Sequence, residues 1–473
     1  MEMNTYTNFG LLVIVISLAF VQGQHFQRFC VYNGFAIARD GEHGLQPEDI
    51  DPFMCTHIIF SFAEIDESGT RLKDPDHFEA NYLYQRIIRL RKLNHRLNMI
   101  LSVGGWDKGG EGFSRLVSSR ENMLKFTKWV IIYLRRFDFD GLDFDWQFPA
   151  LRESNLQDKK RFADLCDVIA LEFDIEEIPD IKWKLTFTLT FHPILPVMNF
   201  GYDIPRLSSK AHYINLKMYD FYGQWDDPML ARHHSALNGF KGFNNIHDLV
   251  ELWEQKGVPG HKMVLGIPFY GRSYRLENSA MSMPGSPAIG PGSDKGDGIP
   301  IKHLCHLIRS GLNESFIPSQ GVPYLVQGDE WIGYDNQRSV MNKATYVFNK
   351  PLAGVMLYSL DMDDHSGACG GGKFPLTMSV INGLQAYMLY MQRKHMAIGE
   401  IYRTKINSAR VSRRAYFMAG KHNMVEKEDA RIAALQKEQD IAMGKITVDV
   451  QQAQAMMNKP FELPPVNQPS FTW

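Results

Sequence analysis

Short runs of apolar, β-branched and aromatic residues alternate along this chain with longer stretches whose apolar residues follow a helical period. The short runs predict eight strands, at residues 29–35, 56–63, 98–103, 139–145, 185–191, 213–219, 263–270 and 353–360. The longer stretches predict helices between them, among others at residues 82–94, 120–136, 159–173 and 246–256. Eight strands that alternate with helices indicate an α/β fold, a closed parallel TIM (β/α)8 barrel.

The longest interval between predicted strands separates the seventh from the eighth. Residues 271–352 begin Gly- and Pro-rich and continue with strand-like and helix-like pieces, which predicts an inserted α+β subdomain that forms one wall of a cleft. A last barrel helix is expected at residues 376–388, so the barrel domain is predicted to span residues 24–388.

The C-terminal extension, residues 389–473, differs from the barrel in being rich in Met, Gln, Lys and Arg, and it closes with a Pro-rich stretch from Pro460. Some of its apolar residues recur at spacings that suit one helical face, namely Ile432, Leu435, Ile446, Val450, Ala453 and Met456. Three interpretations stay open: a helical segment that binds a protein partner, a disordered appendage, and foreign sequence joined by a wrong gene model.

An apolar run at residues 11–20 precedes Val21, Gln22 and Gly23. The run is shorter than the roughly 20 residues that a membrane-spanning helix needs, and it is typical of a secretory signal peptide, here residues 1–23. We therefore expect a secreted, extracellular protein with no membrane span after signal cleavage. An uncleaved anchor and a buried strand are the alternatives.

The composition is that of a globular protein, with 473 residues of which 44% are hydrophobic and 22% charged. A net charge of -2 gives no reason to expect nucleic acid as a partner, although the extension alone carries about +5. Five cysteines suggest two disulfides and one spare thiol, and Cys166 lies in a predicted helix as a small buried residue. No Cys/His spacing resembles a zinc site, and we expect neither a metal nor a cofactor.

The residues that carry chemistry lie at the end of the fourth predicted strand. Residues 139–149 read FDGLDFDWQFP, and since side chains alternate along a strand, Asp143, Asp145 and Gln147 share one face. That face points into the mouth of the barrel, where barrel active sites are built, whereas Asp140 has the other parity. Carboxyl groups stacked inside a barrel cost free energy unless they are compensated, so they indicate function; an ordinary satisfied polar layer is the alternative.

This stretch resembles the Asp-x-x-Asp-x-Asp-x-Glu motif of family-18 chitinases, with Gln147 at the glutamate position. Four further stretches resemble family motifs in the expected order: SVGGW at residues 102–106, MYDF at 218–221, PFYGR at 268–272 and GVMLYSLD at 354–361. The resemblance covers roughly residues 26–388. It implies disulfides between Cys30 and Cys55 and between Cys305 and Cys369.

In that family the glutamate protonates the glycosidic oxygen, and the N-acetyl carbonyl of the substrate acts as the nucleophile. The resemblance gives Asp145 the role of orienting the acetamido group and Tyr219 a hydrogen bond to the same group. A glutamine amide has no carboxyl proton to donate, so Gln147 predicts loss of turnover without loss of sugar binding. The site then resembles chitinase-like lectins and imaginal disc growth factors, relatives that lack hydrolysis.

Further contacts to sugar are implied by the same resemblance. Trp106 is expected to stack on a sugar ring, with a core role as the alternative. Asp220 and Arg272 match sugar-contacting positions, with a structural ion pair as the alternative. Phe35 and Tyr358 stand where many family members carry tryptophan, and a tyrosine offers a smaller π face.

Three other positions bear on the groove or the surface. Lys217 stands where methionine is usual and puts an ammonium either at the cleft or in solvent at a strand end. Trp225 and Trp331 are two further candidates for the lining of the groove. Asn313 begins an Asn-Glu-Ser triplet, a candidate glycosylation site if the chain is secreted.

These observations predict a secreted, chitinase-like protein that binds chitin or N-acetylglucosamine oligomers and is inactive or very weak as an enzyme. A low-activity chitinase in which another acid stands in for glutamate is one alternative. A signalling protein of the growth-factor type that binds no sugar and acts through protein surfaces or the extension is the other.

Overall fold

A computed structural model describes residues 26–39, 44–73, 79–178, 183–239, 243–312 and 314–456. Eight parallel strands close a barrel in the order β1-β14-β7-β6-β5-β4-β3-β2. The barrel strands are β1 Gln27–Asn33, β2 His57–Ala63, β3 Asn98–Gly104, β4 Gly141–Asp145, β5 Thr186–Phe191, β6 Tyr213–Leu216, β7 Met263–Pro268 and β14 Gly354–Tyr358. The prediction of a TIM barrel is therefore confirmed.

Helices connect the strands in the first part of the barrel. They are α1 Glu79–Ile88, α2 Glu111–Leu116, α3 Arg120–Arg136, α4 Asp158–Ile175, α5 Leu195–Gly201, α6 Ile204–Lys210 and α7 Ile246–Gln255. Short 3-10 turns lie at Gly34–Ala38, Pro47–Asp49, Arg89–Lys92, Trp106–Lys108, Gly260–Lys262 and Leu360–Met362. Side-chain caps define two starts, since Ser119 accepts from Asn122 N and Asn245 accepts from Asp248 N.

Strand β4 shows how the alternation of side chains builds both the core and the site. The ring of Phe144 lies 5.5 Å from Phe113 and 5.9 Å from Phe187, and Trp146 stacks on Phe113 at 4.8 Å. These outward side chains fill the layer between barrel and helices. The inward side chains, Asp143 and Asp145, are left to face the barrel interior.

The interval between β7 and β14 holds the predicted α+β insertion. Its strands are β8 Tyr270–Leu276, β9 Ala288–Pro291, β10 Ile299–Pro300, β11 Glu314–Ile317, β12 Val322–Gln327 and β13 Glu330–Gly333, paired around β8, β13 and β12. Its helices are α8 Ile301–Arg309 and α9 Gln337–Asn349. Strand β8 follows β7 directly, so the insertion starts at the barrel mouth.

The chain divides into two compact units, residues 26–382 and a unit that takes in the described residues from Gly383 onward. The second unit consists of the continuation of α10, Pro375–Met418, and of α11, His422–Met456. Arg413 pairs with Asp429 next to the turn between these helices, and Ile406, Ala409 and Val425 are buried. The described part of the extension thus consists of two long helices joined by a short turn, with an ion pair beside the turn.

Both implied disulfides are present, Cys30–Cys55 and Cys305–Cys369, with Cα–Cα distances of 6.0 and 5.9 Å. Cys166 is free and buried in α4. Among the described residues, no helix is both long and apolar enough to cross a membrane. The predicted signal peptide, residues 1–23, Asn313 and the Pro-rich end from Pro460 lie outside the described residues.

Candidate functional site

Asp143 lies at the floor of the barrel mouth, enclosed by hydroxyl groups. Ser102 and Thr188, its register neighbours on β3 and β5, each donate to it at 2.7 Å, and Thr190 donates at 2.9 Å. Burial raises the pKa of the Asp143 carboxyl, and these hydroxyl donors lower it. Asp143 is therefore a satisfied anchor below the reactive positions.

Asp145 has a donor on each of its oxygens. Nε2 of Gln147 donates to Oδ1 at 3.0 Å, and Nζ of Lys217 lies 2.5 Å from Oδ2. Burial raises the pKa of the Asp145 carboxyl, and the ammonium of Lys217 and the Gln147 amide act against that rise. Each oxygen of the carboxylate thus already accepts one hydrogen bond, and the ammonium of Lys217 balances its charge.

Glycine shapes the rim beside this carboxylate. Gly104 has φ 114°, and a Cβ there would lie 2.4 Å from the carbonyl oxygen of Asp145. The following amide, Gly105 N, donates to that oxygen at 2.9 Å. This close approach, which only glycine allows, turns the chain so that Trp106 stands outside the barrel mouth.

Three tyrosine rings lie close together where β6, β7 and β14 end. The ring of Tyr219 lies 5.5 Å from Tyr358 and 6.0 Å from Tyr270. Burial raises the pKa of Tyr219 well above its usual value, and its hydroxyl has no hydrogen-bond partner among the described residues. A buried hydroxyl without a partner costs free energy, so this group is suited to bind a polar atom of a ligand.

Asp220 and Arg272 form a bidentate ion pair, with Nε to Oδ1 at 2.8 Å and Nη2 to Oδ2 at 3.0 Å. Tyr270 donates to the same carboxylate at 2.9 Å, and Asp294 takes the remaining arm of Arg272 at 2.9 Å. The guanidinium holds the pKa of the Asp220 carboxyl far below its ordinary range. The pair thus fastens the insertion, through β8, to the end of β6, and its predicted contact with sugar stays a prediction.

Large aromatic side chains stand exposed around the opening. Phe35 and Trp225 are exposed, and Trp106 is 58% exposed. The guanidinium of Arg152 lies 4.2 Å from the centre of the Trp106 ring, and Arg272 lies 5.5 Å from that of Trp225. In each case an arginine holds the ring in place and leaves aromatic surface for a flat apolar face such as that of a sugar.

Two interpretations need correction. Trp331 is fully buried and stacks on Tyr324 at 5.3 Å in the core of the insertion, so the prediction that it lines the groove is wrong. Lys217 does not extend into solvent, because it is 7% exposed and paired with Asp145.

Sequence reasoning also missed the hydroxyl cradle of Ser102, Thr188 and Thr190. Its signal was visible in the printed sequence, as alternate polar residues at the ends of the third and fifth predicted strands.

The comparisons with known proteins agree with this geometry. A family model described as glycosyl hydrolases family 18 matches residues 28–363. A protein of Margaritifera margaritifera named "Putative chitinase 2" is 57% identical over 451 residues, covering 95% of this chain and 97% of that protein. That match must include most of residues 389–473, which excludes foreign sequence as the origin of the extension.

Two solved structures match about three quarters of the chain. Human YKL-39, described as a pseudo-chitinase with retained chitooligosaccharide binding properties, is 32% identical with a TM-score of 0.71, over 76% of this chain and 100% of that one. The Group IV chitinase of Ostrinia furnacalis, solved with allosamidin, is 27% identical with a TM-score of 0.71, over 77% of this chain and 99% of that one. The neighbours thus include both a chitinase and a pseudo-chitinase.

Proposed function

The chain belongs to the glycosyl hydrolases of family 18, and from that premise we propose that it is a secreted protein that binds chitin-type oligomers of N-acetylglucosamine without cleaving them efficiently. The observation that carries the proposal is the side chain at position 147. Because Asp145 accepts a hydrogen bond there at 3.0 Å, the amide nitrogen of Gln147 faces it, and no acidic proton is present where the family places its acid. General acid catalysis contributes about 10²–10⁴-fold, so its loss makes turnover slow.

Among the described residues, three groups that could stand in for the missing acid are poorly suited to that role near neutral pH. Burial lowers the pKa of His192 to about 4, so its ring is neutral and has no extra proton to donate. Burial raises the pKa of Tyr219 so far that its phenol is a very weak acid. Asp143 is 1% exposed and enclosed by its hydroxyl donors. These environments argue against the alternative of a hydrolase with a substitute acid.

Binding has better support than cleavage. The site keeps exposed aromatic rings for sugar faces, Trp106 and Trp225, and a buried hydroxyl on Tyr219 that lacks a partner among the described residues. The pseudo-chitinase YKL-39 is described as retaining chitooligosaccharide binding. Exposed aromatic rings around a site that lacks a proton donor suit a lectin-like role.

The direct test combines calorimetry with product analysis on the full chain. Titration with chitohexaose is expected to give saturable heat, and the recovered sugar is expected to be intact hexamer. The proposal fails if no heat is seen up to millimolar sugar. It also fails if dimers and trimers appear at the rate of an active family-18 chitinase run beside it.

Secretion is part of the proposal and rests on separate support. Two disulfides suit an oxidising compartment, and the apolar run at residues 11–20 suits a signal peptide. Expressed in insect cells with its own N-terminus, the chain should reach the medium with Gln24 as its first residue. Retention of the full-length chain inside the cells would refute this part.

A further inference from the structure

Lys217 and Asp145 form a buried pair at the centre of the site. Lys217 follows β6 and Asp145 ends β4, so the pair spans the intervening strand β5. Nζ lies 2.5 Å from Oδ2, and the other carboxylate oxygen accepts from Gln147. Each oxygen of Asp145 thus already accepts one hydrogen bond, and one of the two donors is the side chain of Lys217.

Lys217 is held differently from Lys343, which forms another buried pair with an aspartate in the described part of the chain. Lys343 pairs with Asp335 at 2.5 Å and also donates to Ser235 at 2.8 Å, so it is tied into the core twice. Among the described residues, Asp145 is the only side chain that forms a hydrogen bond with Lys217. The position of its ammonium therefore depends on the carboxylate that family-18 chemistry uses.

That chemistry needs Asp145 free. In the family scheme the acid gives its proton to the glycosidic oxygen, the bond from that oxygen to C1 breaks, and the acetamido carbonyl oxygen bonds to C1. Positive charge develops on the acetamido group, and the middle carboxylate accepts its N–H and balances that charge. An ammonium held against Asp145 already balances the charge of the carboxylate, competes with the acetamido N–H for one of its oxygens and opposes the developing positive charge.

We propose that Lys217 is a second block on hydrolysis, independent of Gln147, because it withholds Asp145 from the acetamido group of the substrate. Lys217 acts through Asp145 and is thus a positioning residue. The inference rests on the proposed function, because it explains why the same site does not cleave sugar. Its consequence is that the acid alone does not restore turnover. Gln147→Glu needs the further change Lys217→Met, which puts the residue usual in the family back at this position.

The ammonium would act on a restored acid as well. A carboxyl at position 147 beside Asp145 would keep its proton at neutral pH, because two adjacent carboxyl groups share one proton. With Lys217 present, its positive charge would lower the pKa of that new carboxyl and remove the proton that it must donate. Gln147→Glu and the double variant with Lys217→Met should therefore differ in pH profile as well as in rate.

The test compares the wild type, Gln147→Glu, Lys217→Met and the double variant on a fluorogenic chitobioside. We expect the double variant to exceed Gln147→Glu at least tenfold in kcat with little change in KM, and both single variants to stay near the wild type. The basic limb of its pH profile should lie at higher pH than that of Gln147→Glu. Lys217→Arg combined with Gln147→Glu retains the cation and should stay slow.

Lys217→Gln combined with Gln147→Glu provides a second neutral partner in case methionine disturbs folding, and circular dichroism checks that each variant is folded. The inference is overturned if Gln147→Glu alone is as fast as a folded double variant, whether both are fast or both are silent. Calorimetry of the wild type with chitohexaose measures sugar binding and so tests the proposed function separately. Failure of that binding would leave the comparison of rates intact.

Discussion

Replacing Trp106 with alanine should weaken the binding of chitooligosaccharides about twentyfold. The side chain is 58% exposed, which corresponds to roughly 140 Å² of an aromatic side-chain surface of about 250 Å². Arg152 covers one face, so a sugar stacked on the other face would bury about half of the exposed area, ~70 Å². At about 25 cal/mol per Å² this contributes ~1.8 kcal/mol, a factor of about 20 in Kd.

Trp183 offers a matched control, because it is 83% exposed but precedes β5, at the end of the barrel away from the site. Calorimetry with chitohexaose should show the weakening for Trp106→Ala, and a Kd within about twofold of the wild type for Trp183→Ala. An affinity of Trp106→Ala equal to that of the wild type would refute the assignment of Trp106 to the sugar site. Equal losses would point to a general effect on the fold.

Two further predictions concern stability. Arg272→Met leaves the Asp220 carboxylate, whose side chain is 23% exposed, without its guanidinium and should lower the free energy of unfolding in urea by about 3 kcal/mol. Arg275→Met, at an exposed position of the same strand, should lower it by less than about 1 kcal/mol, and similar costs for the two variants would contradict the role of the pair. Burial lowers the pKa of His57 to about 3. Below pH 6.5 the unfolded chain therefore binds a proton on this ring that the folded chain does not bind. The free energy of unfolding consequently falls as the pH drops from 6.5 towards 3. Between pH 7 and 5 this loss is about 2 kcal/mol, and His57→Gln should lack it; an unchanged pH dependence in the variant would show that His57 is not the group responsible.

The barrel was predictable because its signal is local and repeated. Each strand is a short buried run, and strict alternation along residues 141–147 decides which side chains face the interior. Strand ends were harder to place. The sixth strand was expected to reach Tyr219 but ends at Leu216, because the amides of Met218 and Tyr219 bond to carbonyls two residues back instead of to a neighbouring strand.

Contacts between segments that are distant along the chain could not be predicted from the sequence. The long, flexible side chain of Lys217 could have ended in water; its partner is a carboxylate two strands away, and no local pattern encodes that pairing. Trp331 has the size and type of a sugar-stacking residue, yet Tyr324 and Tyr274 enclose it in a core to which strands β8, β12 and β13 contribute. Both outcomes depend on packing across the sheet.

Native mass spectrometry of the full chain, incubated overnight with chitohexaose at neutral pH, tests most directly whether the site holds sugar without cutting it. We expect a complex whose mass equals the protein plus one intact hexamer, with free hexamer as the only sugar beside it. Complexes that carry dimers or trimers, or protein without any bound sugar, would contradict it.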